Sequence, residues 1–289
     1  MTAAAATIAT DGRAGSAAKA EWKLGLLVFP ALAFLSILLF APLLDLLKLS
    51  AGSGAFEPYA KAIHDPLYLS VIILSFKVAF LTALVCLILA YPVAYFLATT
   101  TPMAAAIGFL FVMLPFWTSL LMRTYAWMVL LGRNGVLNRT LIDLGVISEP
   151  VPLMYNMTGV LVGTVHYLVP FMVLPIYAAM RRIDPNIVLA AQGMGAGTLS
   201  IFTRIYLPLT MNGILAGVAL VFIIALSAYV TPALLGGGRV IMIANLIQLQ
   251  VSQLLNWPFA AALSAIIVIV TIVVYAVLGL LTSRKHDQS

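Results

Sequence analysis

Residues 183–208 read IDPNIVLAAQGMGAGTLSIFTRIYLP and form a short, partly polar interruption between two long apolar segments. Asp184 and Pro185 are a favourable N-cap and first-turn pair for a new helix. A turn is favoured by three closely spaced glycines, Gly193, Gly195 and Gly197. Pro208 then marks the entry to the next apolar segment. The stretch predicts a cytoplasmic helix–turn–helix whose apolar side chains are available to a partner protein.

The composition of the whole chain indicates a membrane protein. Of its 289 residues, 63% are hydrophobic and 8% are charged, whereas a soluble domain carries about 25% charged residues. A helical span needs about 20 apolar residues. Such blocks lie at 24–47, 68–98, 105–131, 157–180, 211–235 and 258–282. Because helices satisfy their own backbone polar groups in lipid, the sequence predicts an all-α polytopic membrane protein with six transmembrane helices.

The chain divides into four parts. Residues 1–22 are rich in Ala, Gly, Ser and Thr and predict a disordered cytoplasmic tail. Residues 23–66 hold the first transmembrane helix, expected to remain as an uncleaved anchor, and an outer loop. Residues 67–283 form a five-helix core that contains the cytoplasmic loop 183–209. Residues 284–289 are predicted to be a second cytoplasmic tail.

The distribution of charge predicts that both termini are cytoplasmic. With six spans the termini lie on the same side, and the segments that would face the cytoplasm then carry more Lys and Arg than the outer segments. The inner cations are Arg13, Lys19, Lys23, Arg181, Arg182, Arg204, Arg284 and Lys285. The outer cations are Lys48, Lys61, Arg133, Arg139 and Arg239. Since these residues flank membrane ends, the net charge of +6 implies no nucleic-acid partner.

Two outer segments predict further structure. Residues 136–144 are expected to form a short interfacial helix. The stretch 240–256 is moderately apolar and interrupted by Asn and Gln. It predicts an amphipathic segment, which either lies at the outer surface or re-enters against the bundle.

Motifs for catalysis are missing from the sequence. The phosphate-binding loop GxxxxGK[ST] is absent, so this chain is not expected to hydrolyse ATP alone. His64, His166 and His286 lie far apart, there is no HExxH, and no GxSxG nucleophile elbow is present. We therefore expect no catalytic residues, no metal site and no cofactor on this chain. Cys86, the single cysteine, is expected to pack as a small hydrophobe.

Residues 189–208 match a sequence pattern that is known from a transporter family. The pattern is Glu-Ala-Ala, three residues, Gly, nine residues, Ile, one residue and Leu-Pro. The matching residues are Ala190, Ala191, Gly195, Ile205, Leu207 and Pro208. The stretch thus resembles the cytoplasmic EAA loop of ABC importer permeases. Leu189 stands where the family has Glu, a residue that helps to anchor the loop against the nucleotide-binding subunit.

Other segments resemble the spermidine/putrescine-type branch of the same family. They are Leu114-Pro115-Phe116-Trp117, Arg123-Thr124-Tyr125-Ala126-Trp127, Leu131-Gly132 with Asn134-Gly135, Ile183-Asp184-Pro185, and the stretch YVTPALLGG at 229–237. The resemblance covers about 67–283 and implies the type I ABC importer permease fold. It implies a bacterial inner-membrane permease subunit working with an ATP-binding subunit dimer that holds Mg-ATP. A second homologous permease would share the pathway, and an extracytoplasmic binding protein would deliver a polyamine or a related amine or amino-acid-derived solute.

The resemblance assigns coupling to the ATPase to ten residues of the loop. They are Leu189, Ala190, Ala191, Met194, Gly195, Ala196, Phe202, Ile205, Leu207 and Pro208. Leu189, Met194 and Phe202 are predicted to form an apolar knob that enters a groove on the ATPase. Closure of the ATPase dimer would then rock the bundle between inward- and outward-facing states. The alternative is an amphipathic helix that lies on the inner leaflet.

A second group of candidate residues belongs to the substrate pathway. The predicted pathway residues are Ser119, Arg123, Tyr125 and Tyr229. A charge inside a span costs about 2.5–3.5 kcal/mol on insertion scales and is a candidate functional group. Arg123 either contacts substrate or has a structural role, snorkelling outward or bonding carbonyls of a neighbouring helix. Since no Asp or Glu lies deep in spans two to five, an amine would depend on aromatic faces, to which Trp127 and Tyr167 also contribute.

Two other functions compete with the importer subunit. A self-sufficient secondary carrier or channel would be expected to have broken midplane helices, internal repeats and titratable groups for ion coupling, and the sequence predicts none of these. A membrane enzyme is disfavoured by the lack of a nucleophile–base or metal constellation.

Overall fold

A computed structural model describes residues 29–51 and 56–283, and all the helices and turns below lie in these ranges. The predicted tails, 1–22 and 284–289, and the first residues of the 24–47 block lie outside the described residues. The α-helices are α1 Phe29–Ala51, α2 Glu57–His64, α3 Pro66–Thr99, α4 Pro102–Met113, α5 Leu120–Leu131, α6 Val136–Asp143, α7 Met157–Met180, α8 Pro185–Gly193, α9 Thr198–Ile201, α10 Leu207–Leu209, α11 Met211–Leu226, α12 Val230–Leu235, α13 Ile243–Ser252 and α14 Trp257–Ser283. A 3-10 turn, Leu114–Trp117, follows α4, and a π-helix, Phe202–Tyr206, follows α9.

The helices account for the six predicted spans. Four of them, α1, α3, α7 and α14, are each long and apolar enough to cross a membrane. Two bent pairs pass the same test together, Pro102–Trp117 with Leu120–Asp143 and Thr198–Leu209 with Met211–Leu226. Counting each bent pair as one span gives six spans. The predicted all-helical polytopic fold is therefore confirmed.

The third span is not the straight helix that block 105–131 predicts. Its two halves meet at an angle of 99°. Pro115 removes a backbone donor from the last turn of the first half, which narrows to a 3-10 turn. Thr118 and Ser119 then adopt extended conformations, with ψ values of 139° and 140°, before α5 begins. The local chemistry of this turn outweighs the continuous hydrophobicity of the block.

The fifth predicted span, 211–235, is also broken. α11 ends at Leu226, and the Ser227 hydroxyl donates to the carbonyls of Ile223 and Ile224 at 3.1 Å. The backbone resumes a helix only at Val230, as α12. The expectation that this chain lacks broken helices is therefore wrong. Because the breaks are present, this expectation no longer argues against a secondary carrier.

α3, α7 and α11 form the centre of the bundle. The side of α3 that faces the other two helices carries a stripe of small buried residues, Ala79, Ala83, Cys86, Ala90 and Ala94. On α11, a Cβ atom at Gly213 would lie 2.6 Å from the Pro175 carbonyl oxygen, and one at Gly217 would lie 2.7 Å from the Met172 sulfur. Small residues thus bring the helix backbones together, which is how helices associate where lipid supplies no hydrophobic force.

Two of the segments that the sequence places outside fold as helices. α6 confirms the short helix predicted at 136–144. Its residue Asn138 is fully buried and exchanges two hydrogen bonds of 3.0 Å with the backbone of Val151. α13 packs on α3 and α14, and the Ile243 N–H donates to Ser75 Oγ at 2.7 Å. Of the two alternatives for 240–256, packing against the bundle is the one observed.

Replacing Gly213 with Ala is expected to destabilise the bundle. The new Cβ would meet the backbone of α7, which cannot move aside as a side chain can, and overpacking of this kind costs about 1–3 kcal/mol. The thermal unfolding temperature of the detergent-solubilised chain measures the effect. The control is Gly193→Ala, where a Cβ meets no atom within 4 Å. Equal unfolding temperatures for the two variants would contradict the proposed close contact.

Candidate functional site

Residues 183–209, which we call the coupling loop after the role predicted for them, fold as the predicted helix–turn–helix. α8 begins at Pro185, and Asp184 Oδ1 accepts a hydrogen bond of 2.9 Å from the Asn186 N–H. The side chain thereby satisfies one of the free donors at the start of the helix. The predicted N-cap is confirmed.

The turn after α8 has a specific need for glycine. Gly195 has a φ of +82°, a left-handed conformation that side chains disfavour. Its N–H donates to the Gln192 carbonyl at 2.9 Å, and the Ala196 N–H donates to the Ala191 carbonyl at 3.0 Å. These are the two hydrogen bonds of a Schellman motif, which satisfies the last carbonyls of a helix. The glycine of the spaced pattern therefore closes α8 and turns the chain towards α9.

Three large apolar side chains project from the two arms of this turn. Leu189, Met194 and Leu199 are 61%, 82% and 75% exposed. Leu189 lies on α8, Met194 caps its end, and Leu199 lies on α9. We call these three residues the apolar elbow. A group of exposed apolar side chains in a loop between spans is a candidate surface for contact with another molecule.

The other predicted coupling residues are distributed over two sides of the loop. Phe202 is half-buried and packs against the central core, so it does not share the surface of the apolar elbow. Leu199 is exposed together with Leu189 and Met194 in the way predicted for Phe202, although the sequence did not indicate it as a coupling residue. The exposed members of the predicted set are Leu189, Ala190, Met194, Gly195 and Pro208. The buried or half-buried members are Ala191, Ala196, Phe202, Ile205 and Leu207.

Arg123 lies on α5 against α7. Its guanidinium carbon is 5.4 Å from the centroid of the Tyr167 ring, which is within the range of a cation–π contact. Its Nη2 donates to the Thr118 carbonyl at 3.4 Å, and its Nε is buried without a hydrogen-bond partner among the described residues. The only ion pair in the described ranges, Lys48–Asp45, lies elsewhere. Arg123 is thus a cation held by an aromatic face and a backbone carbonyl rather than by a carboxylate.

A second polar contact joins the same two helices one turn further along. Trp127 Nε1–H donates to His166 Nδ1 at 3.3 Å, and the two rings meet edge to face with centroids 5.5 Å apart. A neutral imidazole that accepts at Nδ1 carries its proton on Nε2. Both residues line a largely apolar cavity of about 610 Å³ between α3, α4, α5 and α7.

The other predicted pathway residues do not join Arg123. Ser119 lies at the break before α5, and Tyr125 is 55% exposed. Tyr229 lies at the break before α12, where its carbonyl accepts from Asn245 Nδ2 at 3.0 Å. No hydrogen bond or ring contact links these three side chains to Arg123 in the described part of the chain. The partners of Arg123 are instead the ring of Tyr167 on α7 and the carbonyl of Thr118.

His166 was not predicted as a site residue. From sequence the histidines are candidates only as metal ligands, and their separation argues against such a site. The sequence around His166 gives no sign of its contact with Trp127, because this contact depends on how α5 and α7 pack. Across residues 29–51 and 56–283, no group of three or more His, Cys, Asp or Glu side chains could hold a metal ion.

Known proteins are similar to this chain in sequence or in fold. The chain is 39% identical over 206 residues to the spermidine/putrescine transport system permease protein PotB of Escherichia coli K12, covering 71% of this chain and 75% of that protein. It is 36% identical over 228 residues to PotB of Haemophilus influenzae, covering 78% and 80%. This chain belongs to the ABC importer permease family, in its spermidine/putrescine-type branch. No protein-family model matches the chain.

A solved structure shares the fold of this permease. A bacterial alginate ABC transporter, crystallised in complex with its alginate pentasaccharide-bound periplasmic protein, contains a chain that matches with a TM-score of 0.75. The match covers 92% of the permease and 96% of that chain at 18% sequence identity. The predicted type I importer permease fold is confirmed. The permease is a multi-pass inner-membrane protein and a component of a transporter rather than an enzyme.

Gly195→Ala is expected to loosen the turn of this permease without creating a clash. No atom lies within 4 Å of the position that a Cβ would take, but a left-handed φ costs a side chain about 1–2 kcal/mol. Hydrogen–deuterium exchange should therefore speed up in peptides that contain the Gly195 and Ala196 amides. Gly193→Ala is the matched control, because its Cβ is equally free and its φ is not positive. Unchanged exchange in the Gly195 variant would contradict the role assigned to the turn.

Proposed function

We propose that this permease forms the translocation pathway of an ATP-driven importer for a small polar solute that carries amine groups. A separate ATP-binding subunit dimer holds Mg-ATP and hydrolyses it, and a second, homologous permease completes the pathway. An extracytoplasmic binding protein delivers the solute. The observation that supports this function best is the apolar elbow, which presents three large apolar side chains on a chain without a nucleotide-binding motif.

The proposed orientation places the coupling loop and both termini in the cytoplasm. Arg181 and Arg182 precede the loop and Arg204 lies within it, as the positive-inside rule favours for a cytoplasmic segment. The ATP-binding dimer then meets the apolar elbow from the cytoplasm.

Cysteine labelling tests this orientation. The variants Ser200→Cys and Glu149→Cys each carry a single cysteine when they are made in a Cys86→Ala background. Only the Glu149→Cys variant should react with an impermeant thiol reagent added outside intact cells, because position 200 lies in the coupling loop on the cytoplasmic side. Labelling of the Ser200→Cys variant from outside would reverse the orientation.

The proposed solute is a polyamine or a related amine. The PotB relatives are named for spermidine and putrescine, and spans two to five offer aromatic faces but hold no Asp or Glu deep within them. Tyr125 on α5 and Tyr229 at the break before α12 are both exposed, so a cation can stack on their rings. Titration of the binding protein with spermidine, putrescine and amino acids, followed by calorimetry, identifies the solute.

Reconstitution tests the function as a whole. Proteoliposomes with the permease, its second permease, the ATP-binding dimer and the loaded binding protein should accumulate the solute only when ATP is supplied on the dimer's side. Liposomes with the permease alone should not transport it. The broken third and fifth spans make a secondary carrier the competing function. Accumulation by the permease alone, driven by an ion gradient, would establish that carrier and refute the importer.

The double variant Met194→Ser with Leu199→Ser is expected to lose the ATP-binding dimer. Burial of each large apolar side chain contributes about 1.5–3 kcal/mol, so removing both should weaken co-purification about a hundredfold or more. The control is Leu144→Ser with Val146→Ser, which removes two side chains of similar exposure, 70% and 66%, from an outer loop. Equal recovery of the dimer with both variants would show that the apolar elbow is not the contact.

A further inference from the structure

Four aromatic rings join the coupling loop to α3. Phe202 and Tyr206, at the ends of the π-helix, face Tyr91 and Tyr95 of α3. The ring centroids of Tyr91 and Phe202 are 5.3 Å apart, and those of Tyr95 and Tyr206 are 5.0 Å apart. Tyr95 also meets Phe202 at 6.5 Å, and all three pairs are edge to face, with interplanar angles between 78° and 82°. We call these four residues the aromatic clasp.

A directed hydrogen bond completes the clasp. The oxygen atoms of the Tyr91 and Thr210 hydroxyls are 3.1 Å apart. Thr210 Oγ1 donates its one proton to the Tyr206 carbonyl at 2.6 Å, so it accepts from Tyr91. Thr210 is fully buried, and it lies where the chain bends by 64° between α10 and α11. Tyr91 is therefore bonded to the pivot between the loop and the fifth span.

The part of α3 that carries the clasp is a weak point of that helix. Pro92 lies between the two tyrosines and cannot donate a hydrogen bond to the preceding turn. A cavity of about 450 Å³ lies beside it, lined by Pro92, Tyr91, Tyr95, Phe202 and aliphatic side chains. The cavity gives the rings and the helix space in which to move, and helices bend most readily at proline.

The helix that follows the loop, α11, has a different attachment. α11 is fixed to α7 by the close approach of Gly213 to the Pro175 carbonyl. At the start of α11, a displacement of the apolar elbow is therefore opposed by a rigid pair of helices. At Phe202 and Tyr206, the same displacement acts on the clasp and on α3, which Pro92 weakens.

Given the proposed function, we infer that the aromatic clasp transmits movement of the coupling loop to α3, bending this helix at Pro92. Phe202, Tyr206, Tyr91 and Tyr95 are positioning residues for transport: they touch neither ATP nor the proposed elbow surface. Phe202, assigned by the sequence to the ATPase contact, instead serves the contact within the permease. Without the clasp, the ATP-binding dimer still docks and hydrolyses ATP, but less of its motion reaches the bundle.

The test compares solute transported per ATP hydrolysed in reconstituted importers. Phe202→Leu and Tyr95→Leu remove clasp rings, whereas Tyr95→Phe keeps the ring. The matched control is Phe109→Leu. Phe109 is also half-buried and meets a tyrosine, Tyr177, edge to face at 4.6 Å, but it joins α4 to α7 and does not contact the loop.

In both clasp variants the transport-to-hydrolysis ratio should fall about fivefold or more, within the usual range of coupling between sites, while dimer recovery and basal hydrolysis stay within about twofold. Tyr95→Phe and Phe109→Leu should keep the ratio of the unchanged permease. The inference is overturned if the clasp variants keep this ratio, or if Phe109→Leu lowers it equally. An unchanged permease that neither binds the dimer nor transports would refute the proposed function itself, which separates the two failures.

Discussion

Close packing of α11 on α7 is the contact on which the rest of the permease depends. At Gly213 the two helices approach too closely to admit a Cβ atom, and at Gly217 a Cβ would displace the Met172 side chain. In lipid, where apolar surface gains nothing by leaving the solvent, this close van der Waals contact holds helices together. α11 directly follows Thr210, so the contact also fixes one end of the coupling loop. The loop is consequently attached to the centre of the bundle rather than suspended between two spans.

The breaks in the third and fifth spans have a common physical consequence. Irregular backbone at membrane depth is tolerated where it is buried in protein or lines a cavity, because lipid satisfies no polar group. The Thr118 carbonyl at the first break accepts from Arg123, and the Tyr229 carbonyl at the second accepts from Asn245. A polar side chain of the third span and one of α13, which packs beside the bundle, therefore bond to the broken backbone. Two of the candidate pathway residues, Ser119 and Tyr229, lie at these breaks.

The coupling loop presents apolar side chains on two sides, one exposed and one packed on the bundle. Leu189, Met194 and Leu199 face outward and remain largely exposed. Phe202 and Tyr206 face inward and meet the rings of α3. The inward-facing groups attach this short segment to the bundle. The outward-facing groups are left for the partner that we propose, which would account for helix-forming apolar residues in a segment between spans.

The sequence by itself determined the membrane class, the number of spans, the N-cap at Asp184 and the glycine turn. These features depend on hydrophobic blocks and on backbone geometry within a few residues, so neighbouring residues are enough to specify them. Only the tertiary structure decided that Phe202 packs inward, that Leu199 is exposed and that His166 bonds Trp127. Those features depend on which helix faces which. In a uniformly apolar span every side has nearly the same hydrophobicity, so periodicity cannot indicate the side that carries a contact such as that of His166. In the loop, α9 is only four residues long, too short for periodicity to show which apolar side chain faces the bundle.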